Sequence, residues 1–376
     1  MKEIEIICVN DGSTDNSLSI LNRMASNDER IRIVNKMNGG QSSARNAGVC
    51  VSHGSYIYFM DSDDCLDENA LFMLYEESEK NKLDIIYFDA DSFCDSKEDK
   101  CDDMITSKVE WYNKYYKRIK DYSIVRTGEN MFEDFHRNNE YRVSPCLQLI
   151  YRPFYLLNEL NFLEGIIHED NLFTLRSMLL ANRVKHINTI LYHRRIRPNS
   201  TMTQKESAKN VNGYFNVFLE TLKFLERHKI SSSCVKYIVK EMETVEVSNI
   251  KRIYRNISSQ EQLSYLNGLS PINAMLFKQL MFGIEPKVIT RNSSNQENLK
   301  YQVNMEKVEI SYRGINNQIS QMDKRLESIE KMLKTPYGIR KMHGCILCYK
   351  QHGLLYTLKR FIEHCGIDMG TGDFKK

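Results

Sequence analysis

An α/β fold on a mostly parallel sheet, with helices on both faces, is what the first half of this 376-residue sequence predicts, followed by a helical region and a coiled-coil-like helix. Three observations carry the expectation. Short β-rich runs alternate with helical stretches from Ile4 to about Asp89, and such alternation implies parallel strands covered by helices. Two acidic turns, "NDGSTD" and "DSDD", each follow a β-rich run; at the carboxyl ends of strands they would share the edge where open α/β sheets bind ligands. The length corresponds to about two to three domains, enough to bury a core without disulfides or metals.

Taken in order, "IEIICV" is the first strand, and a helix follows over 16–26. "IRIVN" is the second strand and 42–51 the second helix. "YIYFM" runs into Asp61-Ser62-Asp63-Asp64, a helix follows over 68–80, and "LDIIYF" closes the block. Residues 89–104 hold seven acidic residues against two lysines and lack the glycine and terminal glutamate of a calcium loop, so they read as solvated. Residues 105–145 give no clear pattern. "CLQLIYR", the helical "FYLLNELNF", "EGIIHEDNLFTLRSMLLANR" and the strand-like "VKHINTILYHRR" form a second layer. The expected divisions are 1–205 for the α/β domain, 206–290 for a helical region, 291–335 for the polar linker "RNSSNQEN" with a long helix, and 336–376 for a basic amphipathic tail.

In the long helix, apolar or aromatic residues fall at 301, 305, 308, 312, 315, 319, 322, 326, 329 and 333, the alternating spacing of a coiled coil, until Pro336 stops it. Self-association through 301–333 and folding back onto the chain's own domain both stay open. The tail from Pro336 has seven Lys/Arg against three Asp/Glu, a composition that suits an anionic membrane surface or a helical cap. Cys345-x-x-Cys348, with histidines nearby, lacks the second pair that would mark a zinc site.

Lys+Arg 52 against Asp+Glu 49 leaves a net charge of +3, too even for the single-sign field of a nucleic-acid binder. The ten cysteines are scattered through apolar runs behind no leader segment, which reads as reduced thiols in a cytoplasmic protein. No apolar run approaches the ~18 residues of a membrane span, so contact with the inner face of the plasma membrane would be peripheral. Asn199-Ser200-Thr201 then reads as a turn rather than a glycosylation site.

Asp61, Asp63 and Asp64 crowd the end of a hydrophobic strand, where mutual repulsion calls for a compensating cation. Mg²⁺ or Mn²⁺ takes few protein oxygens and shares the rest with substrate phosphates. An Asp-rich cap for the helix in "CLDENALFML" is the competing reading, and the residues alone leave both open.

"VNDGSTDNS", "NGGQSSARNAG", "YIYFMDSDD", "EGIIHEDNLF" and "YHRRIRPNSTM" occur in an order and spacing that resembles the family 2 glycosyltransferases of the GT-A fold, over about residues 3–205. The resemblance implies a metal-dependent, inverting transfer from a nucleotide-diphospho sugar, a UDP-sugar, to a lipid-linked or polysaccharide acceptor of the capsule or lipopolysaccharide kind. It implies that Asp11 accepts from the nucleotide base, with Gly12 and Ser13 shaping the turn, and that Arg45 faces the nucleotide or its phosphates. Asp61 would hold the ribose or a metal-bound water, and Asp63 the Mn²⁺ or Mg²⁺. Asp170 would be the general base with Glu169 beside it, although both also suit the start of the helix "NLFTLRSMLL". Arg195 and Arg197 would meet the diphosphate, as arginine forks do, and His193 would reach the metal. Arg194 stands where the family leads one to expect an aromatic residue.

Members of that family begin with a further strand and helix, ~30 residues of the usual strand–loop–helix length. Here Met1 lies three residues ahead of Ile4. The expectation is an unpaired inner edge beside the first strand and a fragment of a longer protein. Two rivals remain: a non-catalytic glycan-assembly partner docking through its carboxyl-terminal helices, and a sugar nucleotidyltransferase, which would want a glycine-rich phosphate loop that the sequence lacks.

Overall fold

The computed structural model describes residues 3–94, 103–197 and 205–282, and its first block follows the expected alternation. β1 (Ile6–Asp11) pairs in parallel with β2 (Ile31–Lys36), Ile6 opposite Ile31 through Asp11 opposite Lys36. α1 (Ser17–Ala25) makes the crossover. α2 (Gln41–Cys50) lies on β1, so near that a Cβ on Gly48 would stand 3.4 Å from Val9. β3 (Tyr56–Tyr58) leads into the acidic loop, β4 (Cys65–Leu66) leaves it, α3 (Ala70–Asn81) follows, and β5 (Ile85–Phe93) closes the block.

The stretch without a clear pattern folds as α4 (Asp103–Tyr115) and α5 (Gly128–Arg137), the latter capped by Thr127, whose side chain accepts from the Asn130 amide. A short 3₁₀ turn at Pro145–Leu147 then leads to β6 (Gln148–Tyr151), α6 (Arg152–Leu157), α7 (Glu169–Leu180) and β7 (Val184–Arg195).

The larger sheet among the described residues has five strands in the order β3-β6-β5-β7-β4. β5 and β7 are parallel, whereas β3–β6, β5–β6 and β4–β7 are antiparallel. The α/β class stands, and the sheet is mixed rather than mostly parallel. At β4 the reason is visible: two residues turn straight back from the acidic loop onto β7, Cys65 opposite His193, and antiparallel edge strands often flank parallel pairs. β1 and β2 form a sheet of their own, with no ladder to β3 among the described residues. Their apolar side chains stay half-exposed or exposed.

Asp89 to Phe93 belong to β5 and not to a solvated loop. Asp89 is 1% exposed and meets the equally buried Arg118 at 3.0 Å and His186 at 2.8 Å. A carboxylate can lie in a core when it is paired and hydrogen-bonded, which composition does not reveal. Cys8, Cys50, Cys65, Cys146 and Cys234 carry free thiols, while Cys94 is disulfide-bonded, against the expectation of reduced thiols throughout.

The helical region comprises α8 (Ala208–Arg227), α9 (Ser232–Glu241), a π turn at Met242–Val247, α10 (Ser248–Asn256), α11 (Ser259–Gly268) and α12 (Pro271–Phe282). Ser207 and Asn210 cap α8 reciprocally. A Cβ on Gly213 would fall 2.2 Å from the Ile167 carbonyl oxygen, so α8 lies directly against the loop that enters α7. No helix among the described residues is long and apolar enough to cross a membrane. Asn199-Ser200-Thr201, the 291–298 linker, the heptad helix over 301–333, Cys345-x-x-Cys348 and the tail from Pro336 lie outside the described residues.

Burial raises the Glu246 carboxyl to about 8 and that of Glu241 to about 7. Both folded values exceed the unfolded value of ~4.3, so each group's contribution to stability is complete below that pH and is lost as pH rises through the folded value. Glu246→Gln is therefore expected to flatten the fall in unfolding free energy between about pH 6 and about pH 8, a slope of up to about 1.4 kcal/mol per pH unit for one group. Urea melts that show equal pH slopes for the two proteins would contradict this.

Candidate active site

The site begins where β1 ends. Asn10 is buried; its Nδ2 donates to Asn35 Oδ1 at 2.6 Å and its Oδ1 accepts from the Ser13 amide at 3.3 Å, which curls the chain through Gly12. Gly12 takes φ +71°, and a Cβ there would stand 2.8 Å from the Asn38 amide nitrogen, so glycine is required. Asp11 accepts from Lys36 Nζ at 2.6 Å, from Gly39 N at 2.9 Å and from Gly40 N at 2.7 Å. Burial would raise its carboxyl, and these donors outweigh burial and hold it below the usual carboxylate range. A carboxylate offers about four lone-pair positions, so Asp11 fastens the 37–40 loop to β1 and keeps room for one more donor.

α2 carries the next group. Asn46 exchanges two 2.9 Å hydrogen bonds with the backbone of Phe162, which fixes the helix against the chain leading into α7 and lays the Arg45 guanidinium over the Phe162 ring at 5.0 Å. From there Arg45 donates to Asp61 Oδ1 at 2.8 Å and to Glu169 Oε1 at 3.2 Å. Gln41 Nε2 donates to the same Asp61 oxygen at 3.2 Å. Beneath them Phe59, just past β3, meets Phe162 and Phe173 edge to face at 5.0 and 5.7 Å, an aromatic floor that fixes where Asp61 emerges.

The acidic loop is held from the other side by β7. Asp64 accepts from the Arg195 amide at 2.8 Å and from the Tyr192 hydroxyl. Burial raises its carboxyl, Tyr192 and Arg195 lower it, and Asp63 and Asp61 raise it again, leaving it above the usual range. The Asp63 carbonyl accepts from Arg195 Nε at 3.0 Å, and its carboxylate pairs with Arg197 at 3.0 Å. The competing cap role is not seen: Asn69 is the N-cap of α3.

Glu169 and Asp170 form the first turn of α7, behind His168 in the left-handed region at φ 69°. His168 stacks on Tyr214 of α8 at 4.0 Å, and burial lowers its pKa to about 4. Burial and the neighbouring Asp170 raise the Glu169 carboxyl, against the pull of Arg45. Burial raises Asp170 as well, against Arg45, the amides of Asn171 and Asp170, and Arg194.

The structure thus brings Asp61, Arg45, Glu169 and Asp170 together, and ties Asp63 to Arg195 and Arg197 beside them. His193 has other carboxylate partners: its Nδ1 meets Asp91 at 2.6 Å and its Nε2 meets Asp67 at 3.0 Å. Burial lowers the imidazole pKa, and the two carboxylates outweigh burial and raise it. Among the described residues no group of three His, Cys, Asp or Glu is arranged to hold a metal ion. Gln41, Asn46 and Tyr192 are site residues to which sequence reasoning gave no role, although all three lie inside the quoted motifs; Asp64, read there only as one of three crowded aspartates, is the one that β7 holds.

Comparison with known proteins bears on this geometry. The profile of the family described as Glycosyl transferase family 2 matches residues 1–142. The chain is 30% identical over 211 residues to "Glycosyltransferase GlyG" of Streptococcus pneumoniae serotype 4, covering 54% of this chain and 64% of that protein. It is 34% identical over 206 residues to "Uncharacterized glycosyltransferase EpsJ" of Bacillus subtilis, covering 53% and 55%. It therefore spans less than two thirds of either relative's length. Among solved structures, S. aureus TarS 1–349 in complex with UDP-GlcNAc superposes with a TM-score of 0.52 at 17% identity, over 75% of this chain and 74% of that one, a likeness of fold.

Proposed function

We propose that this chain, whose residues 1–142 match the Glycosyl transferase family 2 profile, transfers a sugar from a nucleotide-diphospho sugar of the UDP class to a hydroxyl of a growing cell-surface glycan, with inversion. The observation that carries the reading is the Arg45 bridge, one guanidinium joining Asp61 of the acidic loop to Glu169 at the start of α7. It joins the two carboxylates that this reading assigns to the donor side and the acceptor side. That TarS was solved with UDP-GlcNAc supports a uridine nucleotide as the first ligand to test.

In this reading Asp11, Gly12 and Ser13 face the base, and Arg195 and Arg197 supply positive charge to the diphosphate. Asp61 and Asp63 offer the hard oxygens that Mg²⁺ or Mn²⁺ accepts beside substrate phosphates, and Asp63 already has a cationic partner in Arg197; His193, engaged by Asp67 and Asp91, does not fit that set. A divalent ion, when bound, would offset charge on the departing nucleoside diphosphate. The acceptor oxygen bonds to the anomeric carbon as that carbon's bond to the diphosphate oxygen breaks. The hydroxyl proton passes to the Asp170 carboxylate, and the bonding pair leaves with the nucleotide. Arg45 engages Asp61 and Glu169, which supports the assignment of the base to Asp170 that the family resemblance implies.

A non-catalytic assembly partner is the rival, favoured by the separate β1–β2 sheet with its half-exposed apolar side chains. Calorimetric titration of UDP with and without Mn²⁺ tests the choice. Saturable binding that needs Mn²⁺ and disappears in Asp63→Ala is expected. Absence of UDP binding to the unsubstituted chain would overturn the uridine donor and favour the rival.

A further inference from the structure

We propose that the aromatic face of α4 made by Trp111, Tyr112 and Tyr115 is an acceptor subsite that takes a pyranose ring of the glycan being extended. The inference rests on the glycosyl-transfer reading and names where its second substrate lies. Trp111 is the chain's single tryptophan and is 56% exposed, yet it is held in place. Its ring lies flat on Tyr115 at 4.9 Å and 11° and meets Tyr112 edge-on at 4.8 Å, while Tyr112 stacks on Tyr116 at 5.5 Å. A large aromatic ring left in water gives up burial worth kilocalories; one that is also fixed by a stack beneath it is preorganised for a ligand.

Charge at the rim narrows the chemistry. The Arg194 guanidinium lies over Tyr112 at 4.8 Å and donates to the Tyr116 hydroxyl. Arg142 lies over Tyr115 at 4.6 Å. A pyranose has a face of C–H groups and a rim of hydroxyls, so a flat ring flanked by guanidinium N–H donors matches both parts. An apolar peptide would meet only the rings.

Position ties the face to the reacting groups. The Ser92 amide at the end of β5 donates to Asn113 Oδ1 at 2.5 Å, which anchors α4 to the strand. Arg194 precedes Arg195, whose amide holds Asp64. Tyr192, on the same face of β7 as Arg194, donates to the other Asp64 oxygen. The aromatic face thus adjoins, through Arg194, the stretch of β7 that holds the acidic loop.

Because Trp111 is the sole tryptophan, intrinsic emission reads this face directly. Titration of the full chain with cellobiose, lactose and chitobiose is expected to shift the emission saturably for at least one of them. Calorimetry with that disaccharide should show about tenfold weaker binding in Trp111→Ala and partial retention in Trp111→Phe, which also controls for misfolding. No emission change with any of the three, or calorimetric binding unaltered in Trp111→Ala, would overturn the proposal. So would a concentration-dependent dimer, seen by sedimentation, that Trp111→Ala dissolves, since a second copy would then own the face. UDP binding in the unsubstituted chain is read separately: saccharide binding without it supports the subsite and removes the uridine donor, and UDP binding with no emission change does the reverse.

Discussion

Asp170→Asn is expected to slow sugar transfer by about 10²- to 10⁴-fold, the usual contribution of a positioned base, while UDP binding stays close to that of the unsubstituted chain. The amide keeps the shape of the carboxyl and its acceptance of the Asn171 N–H at 3.1 Å, but it cannot take a proton. If Asp170 only favours the N-terminal end of α7, the substitution removes about 0.3–1 kcal/mol of charge–dipole stabilisation and leaves transfer unchanged. Steady-state rates and a thermal melt of the same variant separate the two. The pH profile adds a sign. Asp170 acts deprotonated, and burial, only partly offset by Arg45, holds its carboxyl above the ordinary value of 3.8. The acid limb of kcat/KM should therefore fall above that value, with activity rising as pH rises through it; an acid limb at or below it would assign the base to another group. Glu169→Gln should cost less, because Arg45 already occupies that carboxylate.

Strand order in the chain was legible because strands and helices announce themselves by period. "IRIVN" became β2 (Ile31–Lys36), and "VKHINTILYHRR" became β7 (Val184–Arg195) residue for residue. Pairing was not legible, since nothing in "CLQLIYR" says that β6 lies antiparallel between β3 and β5. The acidic loop could be found from three aspartates at a strand end, yet their partners come from far along the chain: Arg45 for Asp61, Arg197 for Asp63, Tyr192 for Asp64. Long-range contacts of this kind leave no periodicity. The partners of His193 were equally hidden. The family resemblance implied that it would reach a metal, and no spacing in the sequence showed that the antiparallel return of β4 would put Asp67 within 3.0 Å of it. Trp111 stood in a segment with no readable pattern because its face of α4 is aromatic and exposed together, so neither burial nor polarity marked it.

The other large effect lies beneath the site. Asp89→Ala is expected to lower the unfolding free energy by about 3–5 kcal/mol, measured by urea denaturation followed by circular dichroism. Asp89 Oδ1 meets Arg118 Nη1 at 3.0 Å and His186 Nε2 at 2.8 Å, and Oδ2 accepts from the Arg118 amide at 3.2 Å. Arg118 spends its other donors on the carbonyls of Glu140 and Phe88 and lies over Phe135 at 4.6 Å. Burial lowers the His186 pKa, more than the adjacent Asp89 raises it, so the neutral imidazole leaves Asp89 and Arg118 as the charged pair. Removing the carboxylate strands a guanidinium that is 1% exposed, and desolvation then has no Coulombic return. Adding Arg118→Met to Asp89→Ala should recover part of the loss, because the stranded charge is gone while two carbonyls still lack donors. A single variant within about 1 kcal/mol of the unsubstituted protein, or a double variant no better than the single, would show that the pair is not what holds β5 to the segment after α4. Transfer activity should follow the melt rather than drop outright, since Asp89 supports the strand that carries Asp91 and Ser92 and touches none of the reacting groups.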